Sequence, residues 1–259
     1  MGSPLAAAYA SRSLARWCFL HPGWRDDMER AVELARSSDP WTRASVMFYT
    51  FGAAIAGGAY AVDDVANREI NDALRMAEAC GDDLGVSFTK YTKGLLLVHG
   101  NSADRSRGLE LLTEVRELTL EGRFYLSELP VVELYAAREH ARHGHVDDAI
   151  SGMRSALDLL FERGQFAWGV VASAVFVRTL LDRGGEADLA EAEVVADRMA
   201  TAPLEMAPEC LDLWLLLVRT LLLGARGNES AYRNSRDSYR EMARTLGFEG
   251  HIAWAEAMP

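Results

Sequence analysis

Apolar side chains recur at helical spacing along almost the whole 259-residue chain, and short clusters of Gly, Asn or Asp separate these stretches. This spacing places apolar residues on one face of an α-helix, whereas the alternation typical of a half-buried strand is absent. Only 7 prolines interrupt the pattern. The sequence therefore predicts an all-α protein with helices at residues 5–20, 24–37, 41–58, 63–80, 83–99, 104–121, 127–143, 146–163, 166–183, 187–201, 207–224 and 229–246.

These helices pair into six hairpins, of which the fourth, residues 127–163, has the clearest pattern. Gly144 lies in its predicted turn, and the aspartates at 147–148 begin its second helix, where carboxylates cap free N–H groups. Ala137 is the small residue that lets the first helix approach the second. Three residues of the second helix are expected to face the first: Ala149, Met153 and Ala156.

Similar triplets recur in the second helices of the other hairpins, and their first members lie 38, 42, 41, 43 and 39 residues apart. They are Met28/Val32/Ala35, Ala66/Ile70/Ala73, Gly108/Leu112/Val115, Ala192/Ala196/Met199 and Ala231/Ser235/Ser238. The arrangement resembles the tetratricopeptide repeat, in which two helices touch closely only where side chains are small. We expect a single domain over residues 1–259 that forms a tetratricopeptide-like, right-handed superhelix of about six antiparallel hairpins.

The composition and charge exclude several classes of function. A net charge of −11 argues against a phosphate-backbone binder, so direct nucleic-acid binding is not expected. The cysteines at 18, 80 and 210 form neither a disulfide framework nor a CxxC motif, which favours a reducing cytoplasm. The most apolar stretches, 166–177 and 211–225, are too short or too charged to span a membrane, and the N-terminus does not read as a signal peptide.

Two groups of residues invite a catalytic or metal-binding interpretation. The histidines at 140, 143 and 145 flank the predicted turn, where imidazole suits a helix C-terminus; a zinc site is the alternative, but no further ligands lie nearby in sequence. The aspartate doublets at 26–27, 63–64, 82–83 and 147–148 begin predicted helices, so N-terminal capping is the simpler interpretation. Nucleotide, metalloprotease and hydrolase motifs are missing, so we expect no enzyme and no cofactor.

The candidate ligand-binding residues lie on first helices of the hairpins. Arg138, Arg178 and Arg219 follow one another at 40 and 41 residues, in the segments AREHARHG, VRTLLDRG and VRTLLLGARG. They can form a basic ladder that binds a carboxylate, phosphate or acidic peptide, or each can pair with a local carboxylate: Glu133, Glu139, Asp182 or Asp212. Phe48 and Phe51 either pack in the core or form an apolar floor to the same groove.

Two segments carry a resemblance to a known family: the unit HGHVDDAISGMRSAL and the closing SYREMARTLGFEGHIAWAEAMP. They resemble the C-terminal helical-repeat region of actinobacterial, especially mycobacterial, STAND-type regulators. In these regulators an adenylate cyclase or LuxR-type domain accompanies an ATPase module. The resemblance implies a fragment of a larger regulator: a sensor or scaffold that binds a protein or small ligand and controls the attached module. The alternatives are an oligomerisation scaffold or an unrecognised enzyme. The end of the chain, with Phe248, Ile252 and Trp254, is expected to cap the last hairpin or to dock another domain.

Overall fold

A computed structural model describes residues 2–203 and 208–259, which contain no β-strand, so the all-α prediction is confirmed for this part of the chain. A π-helical turn, Phe48–Gly52, links α3 to α4, and a 3₁₀ turn, Leu126–Glu128, precedes α8. The helices are α1 Pro4–Cys18, α2 Trp24–Ala35, α3 Pro40–Met47, α4 Ala53–Ala56, α5 Asp64–Cys80, α6 Asp83–Leu97, α7 Ser102–Leu120, α8 Leu129–Arg142, α9 Val146–Glu162, α10 Phe166–Arg183, α11 Glu186–Ala200, α12 Pro208–Ala225, α13 Glu229–Leu246 and α14 Glu249–Glu256.

The sequence did not predict two local features. The expected helix at 41–58 is interrupted by the π-helical turn, where the buried Thr50 hydroxyl donates to the Val46 carbonyl at 2.6 Å. The segment after α13 forms the additional helix α14, because Gly247 adopts a left-handed φ of 66° that ends α13 and redirects the chain. α14 packs against α13.

Aspartate capping is confirmed at two of the four doublets. The Asp63 and Asp82 side chains accept hydrogen bonds from the backbone N–H groups of Ala66 and Gly85 and so begin α5 and α6. The other two doublets lie in the first turns of α2 and α9 without a side-chain cap. There, aspartates form ion pairs with arginines instead, so the capping interpretation of these two doublets was wrong.

The chain divides into two compact units, Met1–Val132 and Glu133–Pro259, and the division falls within α8. In the first unit α1 packs against α2, α3 against α5 and α6, and α6 against α7. In the second unit α10 packs against α9, α11 and α12, while α12 also packs against α11 and α13. Most consecutive helices are therefore neighbours within each unit.

Most of the repeated triplets lie in the core. Every member is buried in α2, α5, α7 and α9, and in α11 only Ala196 is half-buried. In α9 the small residues meet as expected, since a methyl group added at Gly152 would lie 3.8 Å from the Ala137 side chain of α8. The prediction of the sixth triplet was wrong, because α13 buries Tyr232, Tyr239 and Ala243 instead. Each of the two tyrosines directly follows a predicted residue, Ala231 or Ser238, and faces inward in its place.

Candidate functional site

The pentapeptide VRTLL occurs twice, at 177–181 in α10 and at 218–222 in α12. In both copies the valine and the threonine are buried while the arginine between them is exposed. α10 and α12 pack against each other within the second unit. The repeated sequence thus places Arg178 and Arg219 at equivalent positions of two neighbouring helices.

The threonines fix this arrangement locally in the same way in both helices. The Thr179 hydroxyl donates to the Val175 carbonyl at 3.1 Å, and the Thr220 hydroxyl donates to the Leu216 carbonyl at 2.7 Å. Each bond satisfies a buried hydroxyl within its own helix, four residues back. Each arginine is therefore followed by a buried threonine whose hydroxyl is satisfied within the same helix.

Arg178 and Arg219 have no carboxylate within ion-pair distance among the residues that the structure describes. Asp182 and Asp212, which were candidate partners, form no ion pair with them. Other arginines of the same unit are paired: Arg154 with Glu191 at 2.6 Å and Arg226 with Glu193 at 2.6 Å. The alternative of local pairing therefore does not describe the two arginines of the repeated pentapeptide.

Arg138 differs from the other two members of the predicted ladder. Its Nε lies 3.0 Å from Oε1 of Glu139, its guanidinium lies 4.7 Å from the Tyr135 ring centroid, and only 13% of its side chain is exposed. Glu139 is itself buried and also pairs with Arg142. The sequence carried the signal for this difference, because Glu139 stands where the other two segments have threonine. At Arg138 the pairing alternative is confirmed.

A buried polar pair close to Arg178 was not anticipated. The Tyr239 hydroxyl and Nδ1 of His251 lie 2.7 Å apart, and both residues are fully buried. Burial raises the pKa of the Tyr239 phenol, and the positive charge of Arg178 acts weakly in the opposite direction. The His251 ring also lies 4.6 Å from Trp214 and 4.8 Å from Trp254. This cluster depends on α14, so the sequence pattern alone did not indicate it.

Phe48 and Phe51 lie in the first unit, whereas all three arginines lie in the second. Phe48 is 7% exposed and Phe51 is 1% exposed. The Phe48 ring lies 5.0 Å from Phe88, and the Phe51 ring lies 5.6 Å from Tyr60. Packing of the two rings within the first unit accounts for their positions, as the core-packing alternative predicted.

The three histidines occupy a helical turn. Gly144 has a φ of 95°, a conformation that glycine adopts readily, and Nδ1 of His143 lies 2.7 Å from the Glu139 carbonyl near the end of α8. The rings of His140 and His145 lie 6.4 Å apart. In residues 2–203 and 208–259, no group of three or more His, Cys, Asp or Glu residues is arranged to hold a metal ion.

Comparison with known proteins identifies no relative. No protein-family model matches the chain, and no curated protein or solved structure matches it. Within the described residues, no helix has both the length and the apolar character needed to cross a bilayer.

Proposed function

We propose that this chain is a non-catalytic binding module that recognises an anionic group through Arg178 and Arg219. The observation that supports the proposal is the pair of exposed arginines, without carboxylate partners, at equivalent positions of the repeated VRTLL segments. A guanidinium presents several N–H donors in a planar fork that matches the oxygen atoms of a carboxylate or phosphate. Two guanidinium groups on neighbouring helices suit a ligand with more than one negative charge.

The electrostatic setting favours this proposal. The chain has a net charge of −11, and most arginines of the second unit neutralise nearby carboxylates. A cation without such a partner retains its capacity to bind an anion from solution. A free phosphate, a phosphorylated segment and an acidic peptide share the chemistry that the pair recognises.

In this proposal the hairpins stack as a tetratricopeptide-like right-handed superhelix, and the arginines line its concave face. The repeat spacing, the buried triplets and the packing of successive helices support this arrangement. By resemblance, the module belongs to a larger cytoplasmic regulator and transmits ligand binding to an attached cyclase or ATPase domain. The alternative function is an oligomerisation scaffold. Sedimentation over a wide range of protein concentrations measures self-association and so distinguishes the scaffold from the binding module.

The proposal is tested by thermal unfolding in sodium phosphate compared with sodium chloride of equal ionic strength. A ligand that binds only the folded state raises Tm as its concentration increases. We expect phosphate to raise Tm of the parent protein, and Arg178→Ala or Arg219→Ala to reduce that rise strongly. Arg233→Ala is the control, because it removes an exposed arginine of the same unit that already pairs with Glu229. Equal phosphate responses in all four proteins would refute the proposal.

A further inference from the structure

An aromatic cluster in the first unit reaches the surface. Trp41 is stacked on Phe88 at 5.5 Å between ring centroids, and Tyr125 lies 6.3 Å from Trp41 and 6.2 Å from Phe88. Trp41 is 36% exposed and Tyr125 is 42% exposed, whereas Phe88 beneath them is buried. Two exposed rings on a buried one form a rigid aromatic surface, which we call the aromatic platform.

Glu128 follows Tyr125 of the aromatic platform by three residues and carries a carboxylate. The backbone N–H of Glu128 donates to the Tyr125 carbonyl at 3.1 Å, so the two residues are joined by one tight turn of the backbone. The Ser127 hydroxyl donates to Oε1 of Glu128 at 3.2 Å, and burial beside the Tyr91 side chain affects the same carboxyl. Tyr91 in turn belongs to the same cluster, because its ring lies 5.7 Å from Phe124 and 6.5 Å from Phe88.

Glu128 has no cationic partner among the described residues. The nearest arginine in sequence, Arg123, pairs instead with Asp83 and Glu121, each at 3.5 Å. Desolvation by burial raises the pKa of the Glu128 carboxyl, since neighbouring hydroxyl groups only partly compensate the lost hydration. A half-buried carboxylate of this kind gains stabilisation from any cation that reaches it.

We propose that the aromatic platform and Glu128 together bind the alkylammonium group of a ligand. Aromatic faces attract cations through their quadrupoles, and a tryptophan face is the most effective. The Glu128 carboxylate adds a direct charge attraction at the edge of the same surface. A methylated ammonium fits this combination best, because its methyl groups contact the rings while its charge is shared between the rings and the carboxylate.

This site is distinct from the arginine pair and selects the opposite charge. Its residues, 41 to 128, all lie in the first unit, whereas Arg178 and Arg219 lie in the second. The inference therefore goes beyond the proposed anion binding and does not depend on it. The alternative occupant is a purely apolar ligand, whose affinity would not depend on a positive charge.

Titration calorimetry with choline tests the proposal, and the neutral isostere of choline, in which carbon replaces the quaternary nitrogen, is the matched ligand control. We expect choline to bind and the isostere to bind about tenfold more weakly or not at all, since the two ligands differ in charge and hardly in shape. Equal affinities, or no binding of choline, would overturn the proposal. Because this comparison uses the unmodified protein, it does not depend on the folding of a variant.

Variants then assign the binding to these residues. We expect Glu128→Gln and Trp41→Leu each to weaken choline binding about tenfold. Glu121→Gln is the matched control, because it removes one negative charge from an exposed side chain nearby without touching the aromatic platform. Choline binding that survives both Glu128→Gln and Trp41→Leu would refute the assignment. A loss in Glu121→Gln equal to that in Glu128→Gln would also refute it, because general charge would then be responsible.

Discussion

Helices α6 and α7 of the first unit pack closely at Gly108. A methyl group added at Gly108 of α7 would lie 2.8 Å from Cγ1 of Val98, 2.9 Å from the Val98 backbone nitrogen and 3.0 Å from Cβ of Leu97. Because one of these contacts is to backbone, a side-chain rotation cannot relieve it, and α6 and α7 must move apart. Overpacking of this kind costs about 1–3 kcal/mol.

The intrinsic helix propensity acts in the opposite direction. Alanine is favoured over glycine within a helix by about 1 kcal/mol, so the net effect of Gly108→Ala is a destabilisation of up to roughly 2 kcal/mol. Gly152→Ala in α9 is the matched control. Its added methyl group meets only Cβ of Ala137, at the ordinary contact distance of 3.8 Å. We therefore expect Gly152→Ala to stabilise the protein by about 0.5–1 kcal/mol.

Urea unfolding followed by circular dichroism measures both effects. The same substitution should lower the urea midpoint at residue 108 and raise it at residue 152, with unchanged dependence of the unfolding free energy on urea. A Gly108→Ala protein at least as stable as the parent would show that α6 and α7 do not cross at this glycine. Destabilisation by Gly152→Ala would show that α8 approaches α9 more closely than described.

Three further predictions concern stability and metal binding. Ala149→Leu should destabilise by about 1–3 kcal/mol, because Ala149 is buried in α9; an unchanged urea midpoint would contradict its placement. The hydrogen bond from Arg12 lowers the pKa of Asp27 in the folded protein. At a pH above the pKa of an unfolded aspartate, the ionised carboxylate therefore stabilises the fold. This stabilisation is lost as the pH falls through the lowered pKa of the folded protein. Asp27→Asn should therefore lower Tm at neutral pH but much less in acid, and an equal loss at both would be inconsistent with the ion pair. Metal analysis after dialysis should find no stoichiometric zinc, whereas one zinc per chain, lost in His140→Ala, would establish a histidine site.

Helix positions followed from the sequence because apolar periodicity and turn residues act locally. The helix α14 escaped prediction since it is short and depends on contacts with α12 and α13, such as the Trp214 and His251 rings. In α13 the search for small inward residues selected Ala231, whereas Tyr232 is the buried neighbour. The spacing of small residues cannot predict which of two adjacent residues is buried when one of them is a large aromatic residue.

Sequence spacing also predicted only part of the candidate sites. The repeated VRTLL segments revealed Arg178 and Arg219, because equivalent repeats place equivalent side chains on the same face. The charge pairing of Arg138 depends on its immediate neighbour Glu139 and was one of the two alternatives that the sequence left open. The aromatic platform joins α3, α6 and the segment before α8, so only the tertiary structure brings Trp41, Phe88 and Tyr125 together.

We propose that Arg178 and Arg219 bind one anion together, which a double-mutant cycle can measure. Calorimetric titration with inorganic phosphate compares the parent protein, Arg178→Ala, Arg219→Ala and the double variant. Residues that share a ligand show coupling energies of about 0.5–3 kcal/mol, whereas independent sites give additive effects. We expect each single variant to weaken phosphate binding and the double variant to lose less binding free energy than the sum of the two. Strictly additive losses, or phosphate binding unchanged by either substitution, would contradict the claim.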